Sequence, residues 1–203
     1  MYKKPIIVFE GIECSGKSHH ILKVSNFLKK KKIDHIKIRE PGGSLNSEKI
    51  RNLILNKKSN FAKNTDLLLY LAARSENLVL IKKYFRKRII LIDRFIDSTI
   101  AYQHFGLGVN LNLIKIINNY ILGSLKVDFT FLNIVNNKNM AKRLKLRKNL
   151  NRYDKFDKKF YNKVQKGFLK LAKNNNKKYQ IIDSNSDIKL NEILIQKKIE
   201  KLI

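Results

Sequence analysis

The chain has 203 residues, is 43% hydrophobic and 30% charged, and carries a formal net charge of +28. Its length fits one domain with a substantial core, and its composition excludes a disordered chain. With Cys14 as the single cysteine it also excludes an internal disulfide framework. No apolar run approaches the roughly 18 to 20 residues of a membrane span, and the first apolar run, Ile6 to Phe9, is too short for a signal peptide. A cytoplasmic protein without a membrane partner is expected. The charge raises nucleic acid as a partner, but 35 of the 44 basic residues are Lys, scattered along the chain beside 23 Asn and 27 Ile. Those are the residues that AT-rich codons specify. A diffuse lysine excess describes solvated faces rather than a groove, so no nucleic acid is expected, although the field draws polyanionic substrates.

Five apolar runs read as strands: Ile6 to Glu10, Ile36 to Arg39, Ile89 to Asp93, Asp128 to Asn133 and Tyr179 to Asp183. Most are continuous rather than alternating, as for parallel strands buried on both faces. Helical patterns separate them. Ile21, Leu22, Phe27 and Leu28 share a face after the first loop. Leu67 to Arg86 gives a long helix capped at Thr65 or Asp66. Leu111 to Leu122, about Asp157 to Asn174, and Ile188 to Leu202 give three more. Alternation of this kind predicts an α/β fold, a five-stranded parallel sheet flanked by helices, in one domain over 1–203. Ligands then bind beyond the carboxyl ends of the strands. The stretch Lys142 to Asp157 stands apart, being basic, polar and without apolar periodicity.

The informative residues fall at those strand ends. Gly11-Ile12-Glu13-Cys14-Ser15-Gly16-Lys17-Ser18 matches G-x-x-x-x-G-K-[ST] in full, with a buried strand before it and an amphipathic helix after it. Glycines let consecutive N–H groups turn inward onto phosphate oxygens, and the helix N-terminus adds partial positive charge. Lys17 then reaches the β- and γ-phosphates of ATP, and the Ser18 hydroxyl ligates Mg²⁺. Arg39-Glu40-Pro41-Gly42-Gly43 ends the second strand with an arginine suited to bidentate phosphate binding. Asp93-Arg94-Phe95 ends the third, with Asp93 on the metal side and Arg94 on a second phosphate.

Taken together, FEGIxxSGKS, REPGG, Ala-Ala-Arg on a long helix and DRFxDSxxAYQ resemble thymidylate kinase, in order and spacing, from the first strand to the last helix. The resemblance implies a P-loop NTPase fold of the nucleoside-monophosphate-kinase kind and the reaction of ATP with dTMP to give ADP and dTDP. It implies that Glu13 lies near the sugar 3′-hydroxyl and that Arg39 and Arg94 hold the dTMP phosphate. Tyr70 stacks on thymine, and Arg74, one turn away, bonds its carbonyl edge. Tyr102 crowds the sugar 2′ position, with Ser98 and Gln103 as further base contacts. Segment 142–157 becomes a LID carrying Arg143, Arg147 and Arg152. Because the P-loop has no arginine, the bacterial subtype with a catalytic LID arginine fits, with Arg147 and Arg152 favoured over Arg143. A homodimer is implied as well.

Three positions depart from the family pattern. Cys14 replaces a smaller residue and is tolerable if its φ stays negative, at the cost of sensitivity to thiol oxidation. His19 replaces a second hydroxyl, and Leu107 replaces an arginine. None removes an essential charge. Two other readings stand beside this one: a P-loop kinase of another deoxynucleotide such as dUMP or dCMP, and a basic nucleic-acid-binding protein that keeps a P-loop shell. The second has no need of Arg39, Asp93 and Arg94 together.

Overall fold

A computed structural model describes residues 4–203. Five strands, β1 (Ile6–Glu10), β2 (His35–Arg39), β3 (Ile89–Asp93), β4 (Phe129–Ile134) and β5 (Tyr179–Asp183), form one sheet in the order β2-β3-β1-β4-β5, every pairing parallel. The central strands are Ile-, Val- and Phe-rich because both of their faces are covered. Ile7 and Phe9 point to one face, where they meet Ile21, Val24 and Leu28 of α1 (Lys17–Lys30) and Ile195 and Ile199 of α8 (Ile188–Glu200). Ile6 and Val8 point to the other, against Leu78 and Ile81 of α3 (Lys63–Tyr84).

The strand expectations hold to within a residue or two at the ends. The long helix starts earlier than its sequence suggests, at Lys63 with Ala62 as N-cap. Asp66 is therefore not a cap; it is buried. Three helices carry too little apolar periodicity to read from sequence. These are α2 (Leu45–Leu55), capped by the Ser44 side chain on the Ser47 N–H, α4 (Ile96–Thr99), which widens into a π-helical stretch over Ile100–Gly106, and α6 (Asn137–Lys145). Helices α5 (Leu111–Leu122) and α7 (Lys158–Asn174, capped by Asp157) match expectation. Segment 142–157 is not a plain loop: it contains the end of α6 and a short 3-10 turn over Arg152–Lys155. No helix among the described residues is long and apolar enough to cross a membrane.

Candidate active site

A cleft of about 680 Å³ opens above the carboxyl ends of β1, β2 and β3. Its floor is the loop from Gly11 to Ser18. Gly11 has φ 135° and passes so close to β4 that a Cβ there would sit 2.1 Å from the Asn133 carbonyl oxygen, so only glycine fits. Gly16, at φ 87°, is the N-cap of α1 and supplies no side-chain cap, which leaves the first-turn N–H groups facing the cleft. Cys14 adopts φ 57°, contrary to the negative φ that its side chain favours. Burial pushes its thiol pKa up despite the Arg147 cation nearby, so the thiolate is scarcer than in a free cysteine, the opposite of an oxidation-prone group.

The loop's charged residues are all engaged. Lys17 is buried, and its Nζ donates to the Gly11 and Ile12 carbonyls at 2.9 and 2.8 Å and to Ser15 Oγ at 3.3 Å. Burial lowers its pKa to about 8. Ser18 Oγ donates to Asp93 Oδ2 at 3.0 Å, so the hydroxyl and carboxylate expected at the metal stand together. Ser184 Oγ braces the loop from outside through the Ser15 carbonyl at 2.6 Å, and Arg143 through the Cys14 carbonyl at 3.0 Å.

On the opposite wall, Arg94 sits at φ 65° just past β3 and turns back towards the loop. It donates to Glu13 Oε1 and to the Gly11 carbonyl, each at 2.9 Å, with the Tyr102 ring 5.1 Å away. The Tyr102 hydroxyl donates to Glu13 Oε2. Beneath them Glu10 is fully buried and accepts from the Phe95 N–H at 2.8 Å and from Ser98 Oγ at 2.5 Å. Burial, then Asp97, pushes its carboxyl pKa up to about 7.

Tyr70 and Arg74 reach the far end of the cleft from α3, as their spacing predicts. Arg74 is only 2% exposed and already donates to Glu40 Oε2 at 2.8 Å, Asn118 Oδ1 at 2.6 Å and Thr99 Oγ1 at 2.9 Å. Of its five N–H groups two remain for a ligand. Ser98 and Gln103 also lie on the wall; Ser98 Oγ donates to Glu10, and Gln103 Nε2 donates to Asp66 and to the Tyr153 hydroxyl, both at 3.4 Å. Arg39 lines the cleft in a bidentate pair with Glu48, at 2.9 to 3.2 Å.

The three arginines of segment 142–157 separate. Arg143 and Arg147 line the cleft; Arg152 does not, because it donates to buried Asp66 and packs over the Phe61 ring. Of the two arginines favoured from the resemblance, Arg147 and Arg152, the first lines the cleft and the second is engaged away from it. Sequence reasoning also missed Arg51, which lines the cleft from α2 while donating to the Pro41 carbonyl at 2.6 Å. The one signal for it was Ser44 as an N-cap ahead of Ile50 and Ile54, which would have put Arg51 on a helix.

Comparison with known proteins points to one family. A family model described as thymidylate kinase matches residues 9–195. The chain is 38% identical over 187 residues to a thymidylate kinase of Mycoplasma capricolum, covering 90% of this chain and 88% of that protein. It is 37% identical over 185 residues to one from a Sulfurihydrogenibium species, covering 90% of each. A solved thymidylate kinase structure from Ehrlichia chaffeensis superposes with a TM-score of 0.79 at 30% identity, covering 98% of this chain and all (100%) of the other.

Proposed function

The chain belongs to the thymidylate kinase family, and from that membership we propose how its own residues transfer the γ-phosphoryl group of ATP to dTMP, giving ADP and dTDP. The observation that carries this reading is a single cleft with a phosphate-binding loop on one side and the Glu13–Arg94–Tyr102 cluster on the other. ATP lies with its phosphates in the loop, and dTMP lies between Arg94 and Tyr70.

The acceptor phosphate oxygen is already an anionic nucleophile, so the protein needs no general base. Its task is in-line positioning and stabilisation of charge on the moving phosphoryl group. Lys17 exchanges its loop carbonyls for phosphate oxygens. Arg94, with Arg39 and Arg51 beside it, holds the acceptor phosphate. Glu13 orients the sugar 3′-hydroxyl, Tyr102 crowds the 2′ position, and Tyr70 stacks on the base. Arg74 turns its two spare N–H groups to a thymine carbonyl, with Ser98 and Gln103 framing the wall. Segment 142–157 acts as a LID whose Arg147 meets the transferring group; Arg143 steadies the loop below. Ser18 Oγ and Asp93 Oδ2 are a hard oxygen pair 3.0 Å apart, the donor type that would hold Mg²⁺. That ion, when bound, neutralises charge on the β- and γ-phosphates.

Two wider readings accompany this one. Leu68 and Val79 on α3 and Ile116 and Tyr120 on α5 are all more than half exposed and recur at helical spacing, an apolar face suited to a second copy in a homodimer. A reaction that spends ATP to make a DNA precursor fits a cytoplasmic enzyme.

The test is an ADP-release assay with dTMP, dUMP, dCMP and dGMP in turn. Fastest turnover with dTMP is expected. Preference for another base would refute the acceptor assignment and leave the ATP site standing.

A further inference from the structure

Three consecutive residues of the turn Arg152–Lys155 reach three separate parts of the molecule. Arg152 Nη2 donates to Asp66 Oδ1 on α3, and the other oxygen of Asp66 accepts the Tyr153 hydroxyl at 2.6 Å. The Tyr153 ring stands edge-on to Tyr70 and Tyr102, with centroids 6.1 and 5.8 Å apart, and so forms part of the acceptor wall. Asp154 takes Arg147 Nη1 through both oxygens, at 2.8 and 3.1 Å. Its Oδ2 also accepts the Asn151 N–H at 2.7 Å, within a capping box that fixes the turn.

The exposures of the last pair differ sharply: the Asp154 side chain is 0% exposed and that of Arg147 40%. A rigid buried carboxylate therefore holds the end of a long side chain that lies against the cleft. A free arginine would lose rotamer freedom each time it met the phosphates. An arginine already anchored loses less, which is how preorganised charge assists phosphoryl transfer.

We propose that Asp154 is a positioning residue that holds Arg147 at the cleft, and that the Arg152–Asp66 and Tyr153–Tyr70 contacts tie this position to occupancy of the acceptor site. The proposal rests on the reading of Arg147 as the arginine that meets the transferring group. A base seated against Tyr70 and Tyr102 limits the movement of Tyr153, and Asp154 is its chain neighbour. Arg147 is then presented most firmly when an acceptor is bound, which disfavours transfer to water.

The experiment compares kcat and both KM values for wild type, Asp154→Asn, Arg147→Ala and the double variant. Asn keeps an oxygen for the Asn151 N–H but removes the charge facing Arg147. Asp154→Asn is expected to lower kcat about 10- to 100-fold, the scale of loss from misplacing a catalytic group. KM for dTMP should stay within about threefold, and the substitution should have no further effect when Arg147 is already Ala. An equal loss in both backgrounds overturns the positioning role. A normal kcat for Arg147→Ala overturns the reading of Arg147 itself and the proposal with it. The link to the acceptor is read from how far dTMP tightens binding of a non-hydrolysable ATP analogue. Asp66→Asn should erase that tightening; Tyr153→Phe, which keeps the ring, serves if Asp66→Asn does not fold. Unchanged tightening overturns the link.

Discussion

Arg94 Nη2 lies 2.9 Å from Glu13 Oε1, and this pair joins the loop after β1 to the end of β3. Both side chains are mostly buried, at 19% and 13% exposure, and the same guanidinium holds the Gly11 carbonyl. Removing one member of such a pair strands the other as an uncompensated charge. Arg94→Ala is therefore expected to lose an acceptor-phosphate ligand and release Glu13 into the phosphate site, lowering dTDP production by about 10³-fold or more. Lys17→Ala should fall as far, because it strips the β- and γ-phosphates of their buried cation. Direct assay of dTDP decides; near-normal production by either variant contradicts the assignment.

Lys17 also predicts a pH profile. Burial lowers its pKa to about 8, so the free enzyme loses this cation as pH rises through that value. The parameter that reports the free enzyme is kcat/KM for ATP, which should fall about tenfold per unit above pH 8. At saturating ATP the triphosphate favours the charged amine, so kcat should persist to higher pH. A kcat/KM that stays flat to pH 10 would show that Lys17 remains charged without its ligand.

Arg51 and Arg39 differ in what they are free to do. Arg39 is committed to Glu48 through three contacts, whereas the Arg51 side chain donates to the Pro41 carbonyl. Arg51→Ala is expected to raise KM for dTMP by about 10- to 100-fold, the scale of a charge-assisted hydrogen bond. Arg39→Ala should raise it less, because Glu48 has already neutralised that guanidinium. Initial-rate kinetics with varied dTMP test the order of the two effects.

The contrast between these arginines marks what was legible in sequence. Strands announce themselves through unbroken Ile, Val and Phe, and the phosphate loop through glycines whose positions backbone geometry dictates. Arg39 and Arg94 stand at strand ends, and both line the cleft. Arg51 sits within a helix of weak periodicity, and only the packing of α2 on α3 brings it to the cleft. The Arg74 network draws Glu40, Thr99 and Asn118 from distant segments, and no local pattern foretells such partners. The same holds for Arg152, which the family resemblance put forward as a LID arginine: its contact with Asp66, 86 residues away, has no local pattern to announce it.

Cys14 gives a further prediction. Its half-buried thiol has a raised pKa, chiefly through burial, so iodoacetamide at pH 8 should modify it more slowly than a free cysteine. ATP, bound on the same loop, should slow the reaction again. Modification as fast as that of free cysteine, unaffected by ATP, would contradict this placement of the thiol.

Glu10 should leave its mark on stability rather than on turnover. Its carboxyl pKa is raised from 4.5 to about 7, first by burial and then by Asp97. Between those values the folded chain holds a proton that the unfolded chain has released. Stability from this group is therefore full below the lower value and is lost as pH rises towards the upper one, after which it is constant. The loss is bounded by about 1.4 kcal/mol for each pH unit between the two values, a few kcal/mol in all. Other carboxylates and the large net positive charge also respond to pH, so the informative quantity is a difference between two proteins. Glu10→Gln keeps a polar group facing the Phe95 N–H and Ser98 but cannot ionise. Urea unfolding at pH 5 and pH 8 should show wild type losing stability relative to Glu10→Gln at the higher pH. A gap between the two proteins that is the same at both values would mean that Glu10 ionises like an ordinary carboxylate, buried or not.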